Sequence, residues 1–157
     1  MNKKSVSLIF NVPLTCVSKS HVARENNKQF IVNRSRGDIF KIKLDFDGRD
    51  ISQKTVDYAF LIQAHDSVIQ DIILVELKGR NIKHGFEQIE STLNKYCKKS
   101  PKGKTLHNKI NHSLGNHDTK AFIIAQKHRL QQNQNCKYQI TQKFGVIVDI
   151  KTQKYEY

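Results

Sequence analysis

Val56-Asp57-Tyr58-Ala59-Phe60-Leu61-Ile62 and Ile72-Ile73-Leu74-Val75-Glu76-Leu77-Lys78-Gly79 decide how this chain is read. Both runs are short, apolar and rich in β-branched or aromatic residues, the composition of buried strands. Each nevertheless carries charge. A charged group in such a setting is costly unless it is paired or bound to a metal. Glu76 and Lys78 are two residues apart, so on a strand their side chains share one face. Two carboxylates, Asp57 and Glu76, and one amine therefore converge if the two strands are neighbours.

The flanking sequence supports neighbouring strands. Phe40, Ile42, Leu44 and Phe46 alternate with Lys41, Lys43 and Asp45, which predicts a half-buried strand over 39–46, ended by Asp47-Gly48. Further strands are predicted over 55–63 and 71–78. The unbroken run Ile72–Val75 suggests a central strand covered on both faces. After Gly79, Ile82, Phe86, Ile89, Leu93 and Tyr96 form the stripe of an amphipathic helix over 81–97, with Asn81 as its N-cap. Ala121–Ala125 predicts another strand, 127–136 a weak helix, and Val146–Ile150 a last strand introduced by Gly145. Towards the N-terminus, Val6–Val12 reads as a short strand, Ser18–Asn27 as a helix capped by Ser18 or Ser20, and Gln29–Asn33 as an extended piece. The expected fold is α/β: a mixed central sheet flanked by helices, in one domain over 1–157.

The chain has 27 lysines and arginines against 14 aspartates and glutamates, a formal charge of +13. That imbalance predicts a polyanionic partner, most simply nucleic acid. The basic stretch 98–118 holds Lys98, Lys99, Lys102, Lys104 and Lys109 and reads as a long functional loop. With Arg80 and Lys83, these lysines are the expected contacts to the nucleic-acid backbone. No apolar run approaches the roughly 20 residues of a membrane span, and Met1–Val12 lacks the features of a signal peptide. Cys16, Cys97 and Cys136 are widely spaced with no CxxC pair, which predicts reduced thiols in a cytoplasmic protein.

Phosphodiester hydrolysis needs an activated water, a counter-charge for the transition state and help for the leaving oxygen, which Mg²⁺ can supply. Mg²⁺ takes one or two carboxylates and keeps water and substrate oxygens elsewhere. Asp57 and Glu76 fit that demand, with the Leu77 carbonyl as a third ligand. Lys78 would orient the attacking water or neutralise the phosphate.

Asp57, 18 intervening residues and then Glu76-Leu77-Lys78 resemble the PD-(D/E)xK nuclease superfamily. The resemblance implies a restriction-endonuclease-like α-β-β-β-α-β core spread over 18–27, 39–46, 55–63, 71–78, 81–97 and 120–125. It implies an endonuclease acting on DNA with Mg²⁺, or with Mn²⁺ in its place. Asp57 and Glu76 would be metal ligands and Lys78 the catalytic lysine. Gln88 matches the glutamine that some members carry on the following helix. Glu25 is the candidate for the accessory glutamate that others take from the first helix. A homodimer is implied on the same footing. Val56 stands where the motif has proline.

Blander readings stand beside these. Glu76 and Lys78 could be an exposed cross-strand ion pair, which Ile72–Val75 argues against. Gln88 could be the solvated edge of its helix, and Glu25 ordinary surface charge. His107, His112 and His117 lack metal-ligand spacing. Tyr58 and Tyr96 read as core-edge residues rather than base-stacking platforms. A nucleic-acid-binding protein that keeps the nuclease fold without catalysis is the alternative function.

Overall fold

The computed structural model describes residues 1–47, 54–64, 69–77, 81–96, 118–126 and 133–157, together with the backbone of 98–99 and 105–106. Among the described residues, three helices, α1 (Lys3–Phe10), α2 (Ile82–Tyr96) and α3 (Gln134–Phe144), lie among eleven strands. The strands are β1 (Val17–Ser18), β2 (Val22–Glu25), β3 (Lys28–Ile31), β4 (Asp38–Lys43), β5 (Tyr58–Gln63), β6 (Ile69–Leu77), β7 (Lys98–Lys99), β8 (Thr105–Leu106), β9 (Asp118–Ala125), β10 (Ile147–Thr152) and β11 (Lys154–Glu156).

Six of these strands form one mixed sheet in the order β1-β4-β5-β6-β9-β10. The β1, β4, β5 and β6 pairings are antiparallel, whereas β6–β9 and β9–β10 are parallel. Both parallel links leave room for a helix, α2 in the first and α3 in the second. As expected of a central strand, β6 is buried at every position except Gln70.

Strand alternation splits the core in two. Ile72 and Leu74 of β6 and Ala59 and Leu61 of β5 face the layer built by Val6 and Phe10 of α1, Phe86, Ile89 and Leu93 of α2, and Ile140 and Phe144 of α3. Ile73, Val75 and Leu77 face the other way, with Phe60, Ile62, Phe122 and Ile124. That second face is covered by a smaller sheet of order β11-β3-β2, whose Ala23 and Phe30 join the same cluster. Phe30 is its centre, with ring centroids 5.0 Å from Phe122, 5.7 Å from Phe60 and 5.9 Å from Tyr155.

Two N-terminal expectations are corrected. Residues 6–12 do not form a strand. Asn2 caps α1 by accepting from the Ser5 N–H at 2.9 Å, Val6 and Phe10 are buried one turn apart, and Leu8 is 74% exposed. Residues 18–27 do not form a helix. They make β1 and β2 and then turn at Asn26 and Asn27, with φ of 46° and 62°. Two consecutive positive-φ residues, which asparagine tolerates well, form a type I′-like hairpin turn. The register is Glu25↔Lys28 and Arg24↔Gln29. Of the weak helix expected over 127–136, residues 134–136 are helical: α3 runs from Gln134 to Phe144, and Gly145 at φ 69° ends it by donating to the Thr141 carbonyl at 2.8 Å. Residues 127–132 lie outside the described residues.

The other end of β6 is fastened by charge. Buried Asp71 accepts from Arg36 Nη1 and Lys120 Nζ, each at 3.1 Å, and the Arg36 guanidinium lies 4.0 Å from the Tyr157 ring centroid. The Tyr157 hydroxyl also meets Lys120. Among the described residues no helix is long and apolar enough to cross a membrane, and Cys16 and Cys136 form no disulfide.

Candidate metal centre

Asp57 and Glu76 meet at one end of the main sheet. Tyr58 pairs with Val75 across β5 and β6, so Asp57 stands opposite Glu76 one step further on. Period two places both on the helix-covered face, with Ala59 and Leu74. Glu76 has no solvent exposure and Asp57 only 8%. The two are linked reciprocally, since the Asp57 N–H donates to Glu76 Oε2 at 3.0 Å and the Leu77 N–H donates to Asp57 Oδ2 at 2.7 Å. Each carboxylate therefore has one oxygen committed to the main chain of the other strand, which fixes its position.

Helix α2 closes over this pair and fastens the segment carrying Asp57. Asn81 caps the helix through the His84 N–H at 3.1 Å, as its sequence predicts. Gln88 is buried rather than solvated. Its Nε2 donates to the Thr55 carbonyl at 2.8 Å, and its Oε1 is buried without a hydrogen-bond partner among the described residues. One turn later, Thr92 is fully buried. Its hydroxyl accepts from the Val56 N–H at 2.9 Å and donates to the Gln88 carbonyl at 2.8 Å. On the far side the Thr55 hydroxyl donates to the Leu44 carbonyl at 3.3 Å, and the Leu44 N–H donates to Asp57 O at 3.0 Å. The backbone before β5 is thus held between β4 and α2.

Thr92 and Thr55 are positioning residues that the sequence reading missed. The available signal was a threonine four residues after Gln88, beside Leu93 on the buried stripe. Thr92→Val keeps the shape and leaves the buried Val56 N–H without its acceptor, while the Gln88 carbonyl keeps its helical N–H. The expected loss is about 1–3 kcal/mol, read by urea denaturation, with Thr92→Ser close to wild type.

Charges at the rim are mostly spoken for. Exposed Glu87 takes Lys54 Nζ at 3.1 Å and His84 Nδ1 at 3.2 Å. These partners, Lys54 foremost, hold its carboxyl below the usual range. Lys83 is exposed on the first turn of α2.

Glu25 is not part of the pair. It is exposed on β2, in the sheet covering the opposite face, and α1 contains no acidic residue. It acts instead beside Tyr58, whose phenol is pushed up by burial and then by the carboxylates of Glu25, Asp57 and Asp45. Tyr96 is a core residue, as expected, with its hydroxyl donating to the Phe10 carbonyl at 3.0 Å. Lys78, Arg80, Lys102, Lys104 and Lys109 lie outside the described residues, as do the side chains of Lys98 and Lys99.

The donor set suits a hard cation. Two buried carboxylates and the Gln88 amide oxygen belong to residues gathered around the Thr55–Asp57 backbone, and oxygen ligands are what Mg²⁺ takes. Among the described residues no group of three His, Cys, Asp or Glu side chains forms. Compared with known proteins, the chain matches no family model, no curated protein and no solved structure.

Proposed function

We propose that this protein is a Mg²⁺-dependent endonuclease acting on DNA, of the PD-(D/E)xK type. The observation that carries the reading is the meeting of buried Asp57 and Glu76 on one sheet face, under the helix that supplies Gln88. The order β4-β5-β6-α2-β9 around them and the charge of +13 support it.

Asp57 and Glu76 would hold the ion, with the Leu77 carbonyl beside them. Bound there, Mg²⁺ supplies positive charge to the scissile phosphate and lowers the pKa of water. Lys78, two residues after Glu76, would orient the attacking water through Nζ and offset charge on the phosphate. Gln88 Oε1 would accept a hydrogen bond from that water. Thr92 and Thr55 keep the Asp57 backbone in place. Lys83, Arg80 and the lysines of 98–109 bind the phosphate backbone.

The test is incubation of the purified chain with plasmid, single-stranded and branched DNA in Mg²⁺, Mn²⁺ and EDTA. Cleavage is expected with either ion, abolished by EDTA and by Lys78→Ala. Intact DNA in every condition, or equal cutting by Lys78→Ala, refutes the reading.

A further inference from the structure

The β2–β3 hairpin projects at the same end of the main sheet as Asp57 and Glu76, on the other face. Three contacts fix that placement. The Gln29 N–H donates to the Gln153 carbonyl at 2.8 Å, and the Gln153 N–H to the Ala125 carbonyl at 2.9 Å, next to the Leu77↔Ile124 pair. Lys41 Nζ donates to the Val22 carbonyl at 3.0 Å. The same Lys41 Nζ lies 5.5 Å from the ring centroid of Tyr58, the residue after Asp57.

The hairpin is built to be stiff and polar. Its turn has two residues, and the Lys28 ammonium donates across it to the Asn26 carbonyl at 3.1 Å. With the Gln29 amide oriented to satisfy its donors, its oxygen accepts from Arg24 Nη2 at 2.8 Å and Nε at 2.9 Å. An open groove of about 520 Å³ is lined by Arg24, Glu25, Asn26, Asn27, Lys28 and Gln29. Arg24, Asn26 and Asn27 are exposed, and none of the six is apolar. Nothing here suits an apolar ligand. β11 pairs with β3 from Gln29 to Ile31, so only the tip from Glu25 to Lys28 runs beyond the three-stranded sheet. Asparagine amides at that tip, with an arginine beside it, suit base edges and phosphates, and the major groove of B-DNA admits a two-stranded tip.

We propose that the β2–β3 hairpin enters the major groove of duplex DNA, presenting Asn26 and Asn27 to base edges and Arg24 to a phosphate. The inference rests on the nuclease reading for its biological sense, but not for its test. Duplex substrate would then straddle the sheet end, gripped by the hairpin on one face and cut on the other.

The test is fluorescence anisotropy of labelled duplex and single-stranded DNA with the full chain, in EDTA, over a salt series. Asn26→Gly/Asn27→Gly keeps a turn that glycine adopts readily and removes both amides. Arg24→Ala is added in a triple variant, and thermal melting checks that each variant is folded. Duplex affinity is expected to fall about fivefold for the double variant and about tenfold or more for the triple, with the triple's salt slope reduced by about one. Unchanged duplex affinity in both variants, or an equal loss for single strands, overturns the proposal. Binding is read without Mg²⁺, so a protein that binds through the hairpin and cuts nothing refutes the nuclease reading alone.

Discussion

Glu76→Gln is expected to reduce DNA cleavage by about 10²–10³-fold, the scale of losing one preorganised charge-stabilising group. Glu76 is fully buried and its Oε2 accepts from the Asp57 N–H. Glutamine keeps that acceptor and nearly the same volume while removing a negative charge from beside a second carboxylate. Thermal melting with and without metal reads ion binding in the two proteins. At a hundredfold excess over Kd a bound ion adds about 2.7 kcal/mol, or roughly 5–10 °C for a chain of this size. Wild type should gain that stability with Mg²⁺ or Mn²⁺ and the variant should not. A variant that cuts DNA, or that gains as much from metal as wild type, contradicts the role given to Glu76.

The second large effect concerns the smaller sheet. Phe30→Ala is expected to cost about 3–5 kcal/mol, a large part of the roughly 5–15 kcal/mol that holds a domain together. Phe30 has no exposure and its ring meets Phe60, Phe122 and Tyr155. The short strands of this sheet have few other anchors, so the cavity cannot collapse without releasing β2 and β3. Urea denaturation measures it. A loss below about 1 kcal/mol would mean that the smaller sheet is not packed through this residue.

The contrast between these two regions explains what the sequence could reveal. The strands of the candidate site are long enough for pattern to speak: nine residues in β6, and alternation along β4 that matches its burial. Charge inside such runs marks Asp57 and Glu76 in the sequence itself, and the spacing of Ile82, Phe86, Ile89 and Leu93 places the helix that covers them. The smaller sheet offered no such signal. Its strands have four, four and three residues, and their pairing joins residues 154–156 to residues 29–31. Ser18 and Ser20 resembled helix caps, but no apolar stripe followed them, and the positive φ of Asn26 and Asn27 decided for a hairpin. In 6–12, Val6, Leu8, Phe10 and Val12 satisfy a period of two, while Val6 and Phe10 also satisfy one helical turn. Only the tertiary choice to expose Leu8 separates the two readings. Glu25 moves with the corrected segment onto β2, in the sheet covering the face opposite to Asp57 and Glu76.

On the proposed reading, Asp57 and Glu76 share one divalent ion. The decisive experiment is a crystal of the full chain soaked in Mn²⁺, with an anomalous difference map. One Mn²⁺ peak is expected within coordination distance of a carboxylate oxygen from each residue, absent in Glu76→Gln. A wild-type map with no peak there, or with its peak on other residues, would contradict it.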